Sequence, residues 1–370
     1  MKLTISRDLL LAGLGAVLPA VPTRGVNAVL SNIHLRAQGG QLVLDATDGD
    51  VYISRALAVD IERAGDLLVP AAALNGYVKG LPAGPITLDA DGQMLTVSSG
   101  RCKATFNSTL LANLFPTDDA PDGGFSFDAA GLRDAMLTAA GFAETDPSAN
   151  QHYTRSVLLR MTGVEMKVMA TDGKALYIRT FECAQDEADV LVPLPAVKAA
   201  VSAIQGETVW IFAERQSPLY FVGDSGFCRV PVMDSHFPTE ASLRGIIDFG
   251  HHSALRMAAE PLKSALQRQL SFCDKYYAPC KFISDDGLLR IEGKQQEKGQ
   301  AVDEVECEAD GEYRFQANLH VLSGALAPFA KDADLLIAVN EPRKGDWPNT
   351  ARITSPRLPG TLVIVAGLTD

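Results

Sequence analysis

The side chains that could carry chemistry lie along the sequence without the spacing that catalysis or metal binding requires. The chain has six histidines, and none belongs to an HxxxH or HExxH pattern: His34, His152, His236, His251, His252 and His320. The two adjacent histidines would point to opposite faces of a strand, so they cannot share a metal ion. Nucleophile elbows, dinucleotide fingerprints and phosphate-binding loops are also missing from the sequence. We therefore expect neither a metal nor a cofactor.

Two aspartates form the one pattern that resembles an acid-base pair. Asp48 and Asp172 each follow a predicted strand and precede a glycine, and paired carboxylates can transfer protons. Because they occupy equivalent places in two repeats, we interpret each as the first residue of a turn. An enzyme of unrecognised type remains an alternative without a catalytic constellation, and we predict a protein that is not an enzyme.

Charge and cysteine usage narrow the function further. The chain has 33 Lys and Arg against 45 Asp and Glu, a net charge of -12, which argues against binding phosphates over the whole surface but allows a local patch. Six cysteines are scattered without CxxC spacing, as expected for free thiols in a reducing compartment.

Lys2 and the apolar run 9–21 could be a secretory signal, but its leucines recur at helical spacing behind Ser6, a predicted N-cap. We predict a cytoplasmic protein outside the membrane.

A repeat organises the chain. Four short matches recur in the same order with offsets of 122 to 126 residues: Thr47-Asp48-Gly49 with Thr171-Asp172-Gly173, Leu68-Val69-Pro70 with Leu191-Val192-Pro193, Gly100-Arg101-Cys102 with Gly226-Phe227-Cys228, and Phe115-Pro116-Thr117 with Phe237-Pro238-Thr239. The last third repeats only the order of strands and helices. The sequence thus predicts an α+β fold of three tandem domains, 1–124, 125–250 and 251–370, each with two helices and antiparallel strands.

Three segments of the sequence resemble the beta sliding clamp family. They are the opening Met1-Lys2-Leu3-Thr4-Ile5-Ser6-Arg7, the pair Phe115-Pro116, and Ala170-Thr171-Asp172-Gly173-Lys174-Ala175-Leu176. Members of this family are the processivity subunits of bacterial DNA polymerase III. The resemblance runs over the full length. It implies a head-to-tail homodimeric ring that holds double-stranded DNA by topology, without sequence preference. It also implies three kinds of protein partner: the DNA polymerase III alpha subunit, the clamp loader and other proteins with a clamp-binding motif.

The resemblance assigns DNA contacts only in part. Arg24 matches a basic residue of the clamp hole, and His152 with Tyr153 matches a polar-aromatic pair. Ala72-Ala73 and Leu194-Pro195 stand where many clamps have basic pairs. DNA contact is therefore expected to be weaker, or to be moved to Lys79 and Lys198.

The resemblance also implies a hydrophobic pocket for a short peptide of the Gln/Leu/Phe type. The matching positions are Thr154, Thr171, Gly173, Lys174, Leu176, Pro238, Leu243, Val363, Ile364 and Val365. The usual C-terminal methionines and an arginine are missing, because Ala175 follows Lys174 and Ala366-Gly367 follow Val365. We expect altered partner or inhibitor specificity, as in a specialised second clamp. A clamp-fold docking scaffold that does not encircle DNA is the alternative.

Ring closure needs two unlike faces. By position, the first is an edge strand with Arg101, Lys103 and Phe106, and the second combines a helix end with an acidic strand: Ser271, Phe272, Asp303, Glu304 and Glu306. The basic residues of the first face would then contact the acidic residues of the second face. An ordinary solvated edge strand is the other interpretation of these charges.

Overall fold

The computed structural model describes residues 1–22, 28–108, 115–183, 187–213, 218–274, 277–295, 298–342 and 348–368. Its α-helices are α1 Arg7–Val17, α2 Ala71–Gly80, α3 Ala129–Ala140, α4 Leu194–Ala203, α5 Glu240–Ile247, α6 Ala259–Phe272 and α7 Leu319–Ala325. Short 3-10 helices span Leu18–Ala20 and His152–Arg155.

The strands in the first half of the chain are β1 Lys2–Ser6, β2 Asn32–Gln38, β3 Gln41–Thr47, β4 Tyr52–Ala58, β5 Asp60–Arg63, β6 Gly65–Pro70, β7 Pro85–Asp91, β8 Met94–Ser99, β9 Cys102–Asn107, β10 Phe125–Asp128, β11 Ser156–Met161, β12 Glu165–Thr171 and β13 Ala175–Glu182. Those in the second half are β14 Ala188–Pro193, β15 Thr208–Phe212, β16 Leu219–Gly223, β17 Gly226–Val230, β18 His251–Ala258, β19 Pro279–Asp285, β20 Leu288–Gln295, β21 Gly299–Glu306, β22 Glu308–Asp310, β23 Arg314–Asn318, β24 Asp334–Asn340, β25 Thr350–Thr354 and β26 Thr361–Ala366.

The chain divides into two compact units. Unit 1 comprises Met1–Leu137 and Val192–Met233, and unit 2 comprises Thr138–Leu191 and Asp234–Asp370. The α+β class with antiparallel sheets is confirmed. The expected second domain contributes to both units, so the division into three domains stays a prediction.

Unit 1 contains two sheets. The larger has the strand order β10-β15-β16-β17-β4-β3-β2-β6, and the smaller has the order β5-β1-β7-β8-β9. Helix α1 packs against β4, α2 and α4, and its apolar side chains Leu10, Leu14 and Val17 are fully buried. The periodicity in the sequence therefore does build a helix, with the Ser6 hydroxyl accepting a hydrogen bond from the Leu9 amide at 3.2 Å.

Unit 2 repeats this plan. Its larger sheet has the order β14-β11-β12-β13-β26-β25-β24-β18-β22, and the smaller has the order β21-β20-β19-β23. The run β6-β2-β3-β4-β17 in unit 1 therefore corresponds to β14-β11-β12-β13-β26 in unit 2. The predicted repeat is a repeat of topology as well as of sequence.

The two Thr-Asp-Gly turns have matching hydrogen bonds. The Thr47 hydroxyl donates to the Val51 carbonyl at 2.6 Å, and the Thr171 hydroxyl donates to the Ala175 carbonyl at 2.7 Å. The side chains of Asp48 and Asp172 each accept two amides of their own turn, at 2.8 to 3.0 Å. Because these carboxylates complete their turns, the acid-base interpretation has no support, and the turn interpretation is confirmed.

Three further observations concern thiols, metal ligands and membrane-spanning helices. All six cysteines are free thiols, as predicted. Within the described ranges, no three His, Cys, Asp or Glu side chains come together as a metal site. In the same part of the chain, no helix is long and apolar enough to cross a membrane.

Replacing Ser6 by alanine should remove the N-cap of α1. We expect the free energy of unfolding to fall by about 1 kcal/mol, because the Leu9 amide loses its acceptor. Urea denaturation measures this change, with Ser6→Asp as the variant that keeps an acceptor. Equal stability of the alanine and aspartate variants would contradict the capping role.

Candidate functional site: a groove on the sheet of unit 2

A groove of about 500 Å³ lies on the larger sheet of unit 2, beneath α5. Its apolar lining comes from Met169, Ile178, Leu243, Ile247, Leu336, Ala338 and Leu362, and its charged lining from Lys167, Glu240, Arg244, Asp248 and Arg352. An apolar floor with a few charged groups at the rim is typical of a site that binds a peptide by its side chains.

Strand register explains which predicted pocket residues share the face of this groove. Ile178 pairs with Met169 on β12 and with Leu362 on β26, while Leu176 pairs with Thr171 and Ile364. Alternate residues of a strand share one face, so Thr171, Leu176 and Ile364 form the next row on the face of the groove. Leu243 lines the groove itself, from α5.

Val363 and Val365 require a correction. They lie on the same strand as Leu362 and Ile364 but point to the opposite face, and both are fully buried. Helix α7 packs against β26 and β13. These two valines therefore belong to the core of unit 2 and do not line the groove.

The remaining predicted pocket residues surround the turn between β12 and β13 and the segment before α5. Gly173 and Lys174 are exposed on the turn, and the Lys174 carbonyl accepts a hydrogen bond from the Ala366 amide at 2.8 Å. Thr154 is buried and donates to the Gln151 carbonyl at 2.7 Å. Pro238 precedes α5 and is half-buried. Their contact with a peptide stays a prediction.

Helix α5 forms one wall of the groove, and polar contacts hold it at several points. Thr239 caps its N-terminus by accepting from the Ser242 amide at 3.3 Å. Within α5, Leu243 is the buried residue, so apolar packing contributes little. The Arg352 guanidinium donates to the Ile247 carbonyl at the other end, at 3.2 Å.

Arg160 fixes the segment that leads into α5. Its guanidinium forms a bidentate pair with Asp189, at 2.8 and 2.7 Å, and donates to the Pro238 carbonyl at 3.2 Å. The same group lies 6.0 Å from the centre of the Phe237 ring. A planar guanidinium can satisfy a carboxylate, a carbonyl and an aromatic face together, so this arginine positions Phe237 and Pro238.

Lys167 fixes the first turn of α5. Its ammonium lies 2.7 Å from carboxylate oxygens of both Glu165 and Glu240. Burial disfavours the charged lysine, but the two hydrogen bonds outweigh burial and raise its pKa. The hydrogen bond from Lys167 in turn lowers the pKa of Glu240.

Five residues that line the groove were not predicted from the sequence: Met169, Ile178, Leu362, Arg244 and Arg352. A signal existed for Ile178, because it lies two residues after Leu176 on one predicted strand. No local signal identifies Leu362, since β26 reaches the groove by pairing with β13, far away in the chain. Arg352 reaches the groove because β25 pairs with β26.

The equivalent face in unit 1 carries aromatic rings at two positions. Val51 and Ala175 occupy the same position in the two turns, so Tyr52 corresponds to Leu176. Phe227 pairs with Ser54 as Leu362 pairs with Ile178. The rings of Tyr52 and Phe227 stack with centres 5.6 Å apart, and Leu68 and Phe115 complete this cluster.

The predicted DNA residues fall in several places. Arg24 lies outside the described residues. Lys79 on α2, Lys198 on α4 and His152 are exposed. Tyr153 is half-buried, with its ring 5.5 Å from that of Phe237, next to the segment that leads into α5. Whether any of them contacts DNA stays a prediction.

The predicted interface residues lie at two sheet edges, in the turn before β9 and at the end of α6. Strand β9 is an edge of the smaller sheet of unit 1, and β21 is an edge of the smaller sheet of unit 2. Lys103 and Arg101 are exposed, and Phe106 packs on Tyr77 with ring centres 5.8 Å apart. Ser271 and Phe272 end α6. Glu304 and Glu306 are exposed on β21.

Asp303 differs from the other two acidic residues predicted on this strand. One carboxylate oxygen accepts from Arg268 and the other from Gln269, both at 2.7 Å. Its charge is therefore compensated by α6 of its own chain, and the acidity of this edge rests on Glu304 and Glu306.

Comparison with known proteins gives consistent matches. Residues 1–121 match the family model described as DNA polymerase III beta subunit, N-terminal domain. The beta sliding clamps of Pseudomonas aeruginosa and Caulobacter vibrioides are each 29% identical to this chain, covering 84% of it and 85% and 86% of their own lengths. The crystal structure of a sliding clamp from P. aeruginosa bound to griselimycin matches with a TM-score of 0.88 and 23% identity, covering 100% of both chains.

Replacing Lys167 by methionine should raise the pKa of Glu240 toward the ordinary value of 4.5, because the carboxylate loses its hydrogen-bond donor. In the wild type, the lowered pKa means that this contact stabilises the folded protein above pH 4.5. The stabilisation is lost as the pH falls through the lowered pKa. An NMR titration that follows the side-chain carboxyl carbon of Glu240 measures its pKa in both proteins. Lys174→Met is the control, and a wild-type Glu240 that titrates at 4.5 would contradict the contact.

Proposed function

We propose that the chain is a divergent member of the beta sliding clamp family, on its match to the family model and its relatives, and that it acts as a DNA sliding clamp. It encircles duplex DNA and tethers a polymerase, as a processivity factor that is itself not catalytic. The observation that carries the proposal is the open apolar groove of about 500 Å³ beneath α5, on the sheet face where the family resemblance expects a partner peptide.

Two sheet edges support closure into a head-to-tail homodimer. An edge strand presents unpaired amides and carbonyls, and β9 with β21 of a second copy could form one continuous sheet. Lys103 and Arg101 on one edge would face Glu304 and Glu306 on the other. On β21, Val302 has 43% of its surface exposed, which adds apolar area to this edge. Unlike edges of this kind produce a heterologous contact, which closes into a ring if the rotation fits.

The DNA contact is proposed to be weak and electrostatic. Lys79 and Lys198 are exposed helix residues of unit 1, without an ion pair within the described part of the chain. By contrast, Arg7 donates to the Lys79 carbonyl at 3.0 Å, and Lys263 donates to the Phe329 carbonyl, so these bases are already engaged. Few free cations suit a ring that must slide, since each phosphate contact adds affinity.

The finer assignments rest on this function. We propose the three-domain division 1–124, 125–250 and 251–370, a cytoplasmic location, and the polymerase alpha subunit and a clamp loader as partners. The turn geometry shared by the first two repeats supports the first boundary. The groove supports a partner that docks through a short apolar peptide.

Charge reversal tests the ring. We expect Lys103→Glu to convert a dimer of twice 39.5 kDa into a monomer at low micromolar concentration, because acidic edges then face each other. Sedimentation equilibrium measures the mass. Adding Glu304→Lys in the same chain should restore the dimer, and Lys281→Glu on β19 is the control. A wild-type monomer, or a dimer insensitive to both edges, would contradict the proposed interface.

Topological retention tests the DNA function. After loading onto a nicked circular plasmid by a bacterial clamp loader with ATP, the protein should remain on the DNA during gel filtration in high salt. Cutting the same complex once with a restriction enzyme should release it, because a ring slides off a free end. Retention after cutting would contradict encirclement. Absence from the circle, together with peptide binding, would favour the docking scaffold instead.

A further inference from the structure

The second face of the proposed ring contact has two parts, which come from different elements. Ser271 and Phe272 end α6, and Glu304 and Glu306 lie on the edge strand β21. Helix α6 packs against β21. A second copy can bind both parts at once only if their relative position is fixed, because a head-to-tail contact closes into a ring only if its rotation fits.

Gln269, in the last turn of α6, is a polar side chain that is fully enclosed by protein. Its amide nitrogen donates to a carboxylate oxygen of Asp303 on β21 at 2.7 Å. Its carbonyl oxygen Oε1 has no hydrogen-bond donor among the described residues. A buried acceptor without a donor is unfavourable, and an apolar side chain of the same size would avoid that penalty. Fold stability alone therefore does not explain a glutamine at this position.

The sheet leaves room for this side chain at Gly293. A Cβ atom on Gly293 of β20 would lie 2.6 Å from Oε1 of Gln269, which is closer than side chains approach one another. Gly293 pairs with Ala301 on β21, and Asp303 pairs with Ile291 on β20. The glutamine side chain thus packs directly on β20 and binds β21, so it fixes how far the helix lies from the edge strand.

Two further contacts tie the same end of α6 to β21. Arg268 donates to the other carboxylate oxygen of Asp303 at 2.7 Å. The ammonium group of Lys298, one residue before β21, lies 3.4 Å from the Cys273 carbonyl oxygen and 3.4 Å from an Asp274 carboxylate oxygen. A cation is favourable at the carboxyl end of a helix. The helix end is therefore held on both sides of its two interface residues.

We propose that Gln269 is a positioning residue for ring closure. It holds the end of α6 against β21, so that the two parts of the second face form one docking surface. This inference rests on the proposed function, because it concerns the head-to-tail dimer. Gln269 is enclosed within its own chain, so it acts on the contact only through Asp303 and the helix end.

The dissociation constant of the dimer tests the inference, measured on full-length variants by sedimentation velocity over a dilution series. Gln269→Met keeps an unbranched side chain but removes the hydrogen bond to Asp303. We expect the dissociation constant to rise about tenfold, which corresponds to the loss of one hydrogen bond to a charged group. Gln267→Met changes an exposed glutamine of the same helix and is the matched control, which should leave the dissociation constant unchanged.

Urea unfolding separates positioning from folding. It is measured in the Lys103→Glu background, which we expect to be monomeric, so that dimer formation does not contribute to the transition. There, Gln269→Met should leave the urea midpoint unchanged or raise it, because the unpaired carbonyl oxygen is removed as well. A midpoint that falls along with the dimer affinity would show a structural role only and would overturn the inference.

A double-mutant cycle identifies the group on which Asp303 acts. If Gln269 and Asp303 act through one hydrogen bond, Gln269→Met and Asp303→Asn together should weaken the dimer by less than the product of their separate effects. If Asp303 instead binds Lys103 of a second copy, the effect of Asp303→Asn should disappear in a Lys103→Met background and persist in Gln269→Met. That second result would overturn the inference.

The remaining outcomes distinguish this inference from the function on which it rests. If the wild type is a dimer and Gln269→Met keeps its full affinity, the positioning role is overturned while the ring stands. If the wild type stays monomeric, the proposed ring itself fails, and this inference fails with it.

Discussion

The pairing of β13 with β26 is the contact on which the candidate site depends. It brings together segments that are distant in the chain, as shown by the Arg179 guanidinium, which donates at 2.7 Å to the hydroxyl of Thr361, 182 residues away. The floor of the groove forms only when this antiparallel ladder forms, because Ile178 and Leu362 come from its two strands. Closing so long a loop is costly in entropy. The site therefore exists only in the folded unit.

Helix α5 shows how a wall can be placed with little apolar packing. Arg160 holds the segment before it, Lys167 holds its first turn, and Arg352 holds its last carbonyl. Each of these cations comes from a different strand of the sheet, so the helix position follows the strand register. A single exposed ion pair contributes little to stability. Here the ion pairs act together with hydrogen bonds to backbone carbonyls, and these contacts hold both ends of α5. The groove remains open because few apolar side chains draw the helix onto the sheet.

Local patterns allowed much of the fold to be predicted, and pairing between distant strands decided the rest. The N-cap at Ser6 and the turns at Asp48 and Asp172 depend on residues close in sequence, and the structure confirms them. The face of Val363 could not be read locally, because an almost wholly apolar strand has no alternation to reveal it. Similarly, nothing in the acidic run around Asp303 indicates that Arg268 and Gln269 neutralise one member.

The aromatic cluster of unit 1 affects how many partner peptides one chain can bind. Tyr52 and Phe227 occupy the positions that Leu176 and Leu362 occupy in unit 2, so this part of the sheet face carries packed rings in unit 1 and two leucines in unit 2. Under the proposed function, and within the described residues, the peptide then docks in unit 2 of each chain and not at the equivalent place in unit 1. A partner with two copies of its motif must bridge two chains, and its gain in affinity depends on whether its linker spans them.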